Sequence, residues 1–283
     1  AHCRLAPKQI TTWGHSMTSG ISTIDYYVSS KWFEPLNNQK YYSEKLILMD
    51  SLGTYYPTIN PPEPSREYIE RLKLPENAKI ICCMQNYFKL QSEWFQVMRE
   101  LLGENKDYIL LLQIPLKTEK SGGIFFEQKY QTQLKNLFGD LSQIRFIETL
   151  PYNVYLQLLQ QSDLIVDPYP FGGCNTSLDS FVLGKMVITR TSPKLPGRFT
   201  TGFYRKMDIT EPVCNSMSEY KNKIHFYLEN QDEKTKIENR IKENVNRLFL
   251  EQASVDEWEL VLTKLAKDEN PFTSSVYQDK QQS

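Results

Sequence analysis

The chain reads as an α/β protein in which everything after Pro75 forms a doubly wound parallel sheet, preceded by a shorter segment with strands in a loop-rich setting. Three observations predict this. Beyond Pro75, short apolar runs alternate with amphipathic stretches for about two hundred residues, the rhythm of a parallel sheet covered by helices on both faces. Just before it, Pro57, Pro61, Pro62 and Pro64 crowd the chain, which excludes a helix interior and a central strand alike. The 283 residues, 40% hydrophobic and 24% charged, sit near the globular norm and suffice for one large or two modest domains.

Taken in order, residues 4–50 hold turn formers and two strand-like pieces, 26–29 and 45–49. Strands are predicted at 78–84, 108–113, 144–148, 164–167 and 186–189, each short and mostly apolar. Helices are predicted between them at 92–102, 125–138, 153–161 and 176–183, from apolar positions at helical spacing. The charged stretch 218–266 carries Ile237, Ile241, Val245 and Leu248 on one helical stripe, predicting helices on the flank of the sheet. The polar residues 267–283 predict a flexible tail. The expected organisation is therefore a first unit at 1–60, a proline-rich linker at 61–75, one sheet-and-helix domain at 76–266 and the tail.

Lysines and arginines number 33 against 34 acids, a net charge of -1, so the basic surplus of a nucleic-acid binder is missing. Apolar runs such as 109–112 fall far below the roughly 20 residues of a membrane span. Cys3, Cys82, Cys83, Cys174 and Cys214 are odd in number and scattered without a C-x-x-C pair, which fits a reducing compartment better than a disulfide framework or a zinc site. No charged-then-apolar leader follows Ala1, and His2 and His225 lack a second ligand at metal-binding spacing, so neither secretion nor a metal is expected.

In an open α/β sheet, ligands sit at the carboxyl ends of the strands. The loop after the fourth predicted strand of the main sheet reads DPYPFGGCNTSLD, residues 167–179: a strand ends, two prolines and two glycines turn the chain, and a helix begins near Asn175 or Thr176. Such a helix start can hold phosphate, and Gly172 and Gly173 would let it approach closely. The same residues also admit a reading without a ligand, because Thr176 followed by Asp179 spells a capping box. A second loop, after the first strand of this sheet, carries Gln85, Asn86 and Lys89 before a helix; its lysine can reach a phosphate or lie solvated at the surface. The third candidate is WGHSMTSG, residues 13–20, where His15 could serve as a base or as a donor to sugar oxygens.

Two of these stretches, together with RLAPKQ (4–9), IDYYVSS from Ile24, YSEKLILM (42–49) and LPGRFTTGFYRKM (195–207), resemble in matching order the catalytic region of the O-GlcNAc transferase family, which includes SPINDLY-type enzymes and bacterial protein N-glucosyltransferases. The resemblance implies a GT-B type fold of two Rossmann-like halves. It implies an inverting, metal-independent transfer from a nucleotide sugar, UDP-N-acetylglucosamine before UDP-glucose or a fucose donor, to Ser, Thr or Asn of a protein acceptor. The sugar nucleotide is then a co-substrate and no cofactor is required. By the same resemblance Lys89 stabilises the leaving diphosphate, Asn86 approaches the nucleotide, and Asn175, Thr176 and Ser177 form the helix start near the diphosphate. Asp179 falls on the family acid that binds ribose hydroxyls, Gly14 lies close to the sugar, and His15 is a candidate base. The chain departs from the animal enzymes at Cys174-Asn175-Thr176 and at Tyr152 and Leu158, where they carry His-Thr-Thr and basic residues near the nucleobase. Residues 1–60 match only the end of the family's first Rossmann half, so the chain is expected to be an incomplete catalytic region, with helical repeats outside it. A cytoplasmic location, or a nuclear one in a eukaryote, is expected; the oligomeric state stays open. The rival reading is a catalytically incompetent nucleotide-binding or scaffold fragment of that family.

Overall fold

A computed structural model describes residues 2–35, 37–114 and 123–271, with side chains omitted for 123–130. In chain order the elements are β1 (Ile10–Thr12), β2 (Tyr26–Ser30), β3 (Lys45–Met49), α1 (Glu67–Arg71), β4 (Lys79–Cys83), α2 (Ser92–Glu104), β5 (Tyr108–Gln113), α3 (Gly123–Phe138), β6 (Ile144–Ile147), α4 (Tyr152–Gln161), β7 (Leu164–Val166), α5 (Asn175–Val182), β8 (Val187–Arg190), α6 (Phe199–Lys206), β9 (Val213–Cys214), α7 (Met217–Glu229), α8 (Gln231–Asn244) and α9 (Gln252–Ala266). Two compact units result: residues 59–192 with 208–245, and residues up to 58 with 193–207 and those from 246 onward.

The larger unit is built on a six-stranded sheet in the order β6-β5-β4-β7-β8-β9, with every pairing parallel. Its strands are apolar on both faces, as predicted: Ile81, Cys82, Leu110, Leu111, Leu164 and Ile188 are fully buried. Each predicted strand and helix of this sheet appears within a few residues of its expected bounds. β9 went unpredicted because two residues carry no periodicity. The Ile237-to-Leu248 stripe is not one helix. α8 ends at Asn244, and Val245–Leu248 forms a 3-10 turn where the chain leaves this unit.

The expected linker is part of the larger unit. α1 buries Ile69, and the side chains of Gln157 and Gln160 on α4 donate to the carbonyls of Glu63 (2.8 Å) and Pro62 (3.2 Å). The prolines thus mark a strap along α4, whose carbonyls need partners because their own segment forms no ladder.

The smaller unit holds β1, β2 and β3 in one parallel sheet. Its core joins Val28, Ile47 and Met49 of the sheet to Val261 and Leu265 of α9, with Ile10, Tyr26 and Trp258 packed against them. Glu257 accepts from the amides of Asp50 (2.9 Å) and Ser51 (2.8 Å), and Trp258 donates to the carbonyl of Gly53 (2.8 Å). α6 adds Phe199 and Phe203, whose rings lie 5.1 and 5.4 Å from that of Phe33. This corrects the contiguous 76–266 domain: 193–207 and 246–266 fold with the N-terminal strands because those strands offer the apolar face that these helices cover. The expected tail is likewise shorter, since Asp268 pairs with Lys8 at 2.8 Å and Pro271 is buried; the remainder of that expectation, 272–283, lies outside the described residues. Among the described residues no helix is long and apolar enough to cross a membrane.

Two outcomes test this packing. A Cβ at Gly202 would collide with the Phe33 ring and lie 2.8 Å from the Trp32 carbonyl, so Gly202→Ala is expected to destabilise the smaller unit by about 1–3 kcal/mol in urea melts. Glu44 is 2% exposed, and burial would raise its pKa. Hydrogen bonds from Ser19 and Thr18 more than offset this and hold it at about 2, below the ordinary 4.5. Because the folded value is depressed, the stability it contributes is present above about 4.5 and is lost as the pH falls toward about 2. Glu44→Gln should flatten that part of the pH–stability curve.

Candidate functional site

From β4 the larger sheet grows one way through β5 and β6 and the other way through β7, β8 and β9. The β4–β7 junction is therefore the topological switch point, where the loops after neighbouring strands part and leave a crevice. The loop after β4 carries Gln85, Asn86 and Lys89; the loop after β7 runs from Asp167 into α5. Both predicted loops thus converge on one strand edge, tied by a backbone bridge between Leu90 and Pro170.

Asn86 shapes the first loop by accepting from the amide of Phe88 at 3.1 Å, which caps the turn Tyr87–Lys89. That turn sends Lys89 across to the second loop. Its Nζ donates to the Gly172 carbonyl at 3.0 Å and to Gln85 Oε1 at 2.8 Å, and sits 4.5 Å from the centre of the Phe171 ring. Lys89 is half-buried, not the solvated surface lysine of the alternative reading. Burial pushes its pKa down, while the nearby Asp167 carboxylate opposes that shift. Gln85, 5% exposed, donates onward to Thr176 Oγ1 at 2.5 Å, so a polar chain Lys89–Gln85–Thr176 links the two loops.

The second loop needs a glycine at 173. A Cβ there would collide with Ser177 Oγ and meet Thr176 Oγ1 at 2.7 Å and Asp167 Oδ1 at 2.8 Å. The Gly173 amide instead donates to Asp167 Oδ1 at 2.9 Å. α5 then starts at Asn175 with Cys174 as its N-cap residue, whose side chain makes no capping bond. This corrects the capping-box alternative: Thr176 lies inside the helix bonded to Gln85, and Asp179 looks away to α4. There the Tyr152 hydroxyl donates to Asp179 Oδ1 at 2.6 Å. Asp179 is 7% exposed, and burial raises its pKa against the lowering effects of Tyr152 and Tyr155. Ser177 is buried at the same helix start.

Asn86, Lys89, Asn175, Thr176, Ser177 and Asp179 therefore stand on the two loops of one crevice or on the helix leaving it. Gly14 and His15 belong to the smaller unit. A Cβ on Gly14 would have nothing within 4 Å, and His15 is exposed, with its carbonyl accepting from the Tyr27 hydroxyl at 2.6 Å. Sequence reasoning missed Gln85 and Asp167 as organisers of the crevice, and it took Tyr152 only as a departure from a family pattern. Among the described residues no group of three or more His, Cys, Asp or Glu is placed to hold a metal ion.

No protein-family model matches the chain. Curated relatives do. A UDP-glucose:protein N-beta-glucosyltransferase of Actinobacillus pleuropneumoniae is 25% identical over 88% of this chain and 39% of its own length. A probable UDP-N-acetylglucosamine–peptide N-acetylglucosaminyltransferase SPINDLY of Eustoma exaltatum is 24% identical over 66% of this chain and 20% of its own. The chain thus spans about two fifths or less of the length of these relatives. Among solved structures, a mutant Thermobaculum terrenum O-GlcNAc transferase matches with a TM-score of 0.73 at 17% identity, covering 88% of this chain and 46% of that one. An Anabaena HepE in complex with UDP and glucose matches with a TM-score of 0.55 at 13% identity, covering 85% and 64%. The resemblance read from the motifs is borne out, and so is the GT-B type of fold.

The glycine contacts give a paired test. Gly173→Ala is expected to cost about 1–3 kcal/mol in urea unfolding, because the buried atoms around it must shift. Gly14→Ala, at an open position, should stay within about 0.5 kcal/mol. Equal costs at the two sites would refute the tight turn.

Proposed function

We propose that the chain is the nucleotide-sugar-binding region of a protein glycosyltransferase. It would move N-acetylglucosamine, glucose or fucose from a nucleotide sugar, UDP-linked in our reading, to Ser, Thr or Asn of a polypeptide, with inversion and without a metal ion. The observation that carries this reading is the Lys89 ammonium, half-buried at the switch point and 3.0 Å from the Gly172 carbonyl in the turn that feeds α5. Of its three N–H groups, two are committed to Gln85 and Gly172, which aims the third.

When the sugar leaves a nucleoside diphosphate, negative charge develops on the departing phosphate. An ammonium held beside a helix start neutralises that charge without moving, because both the cation and the aligned peptide dipoles are already in place. Asn175, Thr176 and Ser177 supply the helix start, Gly172 and Gly173 permit close approach, and Asp179 would accept from ribose. Gly14 would lie against the sugar, and His15 is the candidate to receive the acceptor's proton. The names of the relatives, which join UDP-sugars to protein acceptors, support the same reading.

Calorimetry with UDP and uridine tests it. Lys89→Ala should weaken UDP by about 1.5–3 kcal/mol, the worth of a hydrogen bond to a charged group, or roughly tenfold to a hundredfold. Uridine, which lacks phosphate, should bind parent and variant alike. Equal weakening of both would mean that Lys89 only holds the Gly172 turn. UDP affinity should also survive EDTA; its loss there would overturn metal independence.

A further inference from the structure

The contact between Tyr152 and Asp179 plays no part in holding a diphosphate. Thr176 and Asp179 are three residues apart on α5 and so lie on one face of the helix. Asp179 therefore extends the polar row Lys89–Gln85–Thr176 by one helical turn, toward the start of α4. A nucleoside diphosphate anchored by its phosphates at Lys89 would carry its ribose along this row. At the end of the row stands an asymmetric pair: the carboxylate is 7% exposed, whereas the tyrosine that donates to it at 2.6 Å is 51% exposed.

A buried carboxylate needs a donor, and removing its partner costs more than the bond is worth between exposed groups. Tyr152 meets that need at 2.6 Å from its exposed ring, and the more buried Tyr155, 6.1 Å away centre to centre, adds a second influence that lowers the pKa of Asp179. The hydroxyl tie is short while much of the ring is in solvent, which is the arrangement of a donor that can be exchanged.

Resting on the nucleotide reading, we propose that Tyr152 is an internal occupant of the ribose subsite. In the free protein its hydroxyl makes to Asp179 the hydrogen bond that a ribose hydroxyl makes in the complex, and nucleotide entry exchanges one donor for the other. Tyr152 then sets specificity. A ligand with ribose hydroxyls replaces the bond it breaks, and a ligand without them either leaves Tyr152 in place or leaves Asp179 with Tyr155 alone. The free, tyrosine-covered state lowers apparent affinity by the fraction of molecules it occupies.

The test is a cycle of two proteins and two ligands, parent and Tyr152→Phe against UDP and 2′,3′-dideoxy-UDP, read by calorimetry. Loss of one hydroxyl from a half-exposed ring keeps the packing, and a thermal melt of each protein confirms the fold. Tyr152→Phe is expected to bind UDP up to about tenfold more tightly than the parent, and dideoxy-UDP about equally, because the latter has no hydroxyl with which to claim Asp179. Unchanged or weaker binding of UDP by the variant overturns the exchange, as does an equal gain for both ligands. Failure of UDP to bind the parent removes the nucleotide reading and this inference with it. If UDP binds the parent and the cycle shows no difference, only the exchange falls.

Discussion

The crevice depends on how Asp167 is held. β7 is three residues long, and between Val166 and Asn175 the chain must turn through a full reversal into α5. Asp167 fixes that reversal from every side. Its amide donates to Ile188 of the neighbouring strand at 2.9 Å. Its carbonyl accepts from the Tyr220 hydroxyl of α7 at 2.6 Å, and that hydroxyl in turn accepts from Trp94 of α2 at 3.0 Å. Its carboxylate, 2% exposed with the rest of the residue, accepts from the Gly173 amide. A buried carboxylate needs hydrogen-bond donors, and the Gly173 amide supplies one, which favours the loop in this turn. The glycine turn, the start of α5 and the position of Gly172 all follow from this one anchored residue.

The charge of Asp167 also bears on Lys89 across the crevice. Burial lowers the basicity of the ammonium, and the first opposing influence is Asp167. The two requirements pull against each other: a cation is most effective toward a developing anion where water is excluded, yet exclusion of water is what disfavours the cation. A buried anion near the lysine, turned inward to Gly173, opposes the loss of basicity that burial imposes on the ammonium.

Much of this was legible in the sequence. Parallel strands buried on both faces must be apolar runs, which is why Ile81, Leu111 and Ile188 announced the sheet. Because ligands gather at strand ends, the glycine loop and Lys89 could be paired from the order of the strands alone. What stayed hidden was tertiary. Thr176 and Asp179 stand at capping-box spacing, and only partners far along the chain separate that reading from another: Gln85 is 91 residues from Thr176, and Tyr152 is 27 from Asp179. Local spacing carries no information at those distances.

The smaller unit shows the same limit at a larger scale. Its strands of three, five and five residues offer too little apolar surface to form a core without helices from elsewhere in the chain. The amphipathic pattern of 218–266 shows that helices there have a face to bury, but periodicity does not say which sheet receives it. The choice is made by shape and by a few polar anchors. Trp258, Val261 and Leu265 match the face of β2 and β3, while Glu257 takes the backbone amides of Asp50 and Ser51 that the end of β3 leaves without ladder partners. Because such amides must find an acceptor, the carboxylate one residue before Trp258 fixes the register of α9 on this sheet, and with it the assignment of α9 to β2 and β3.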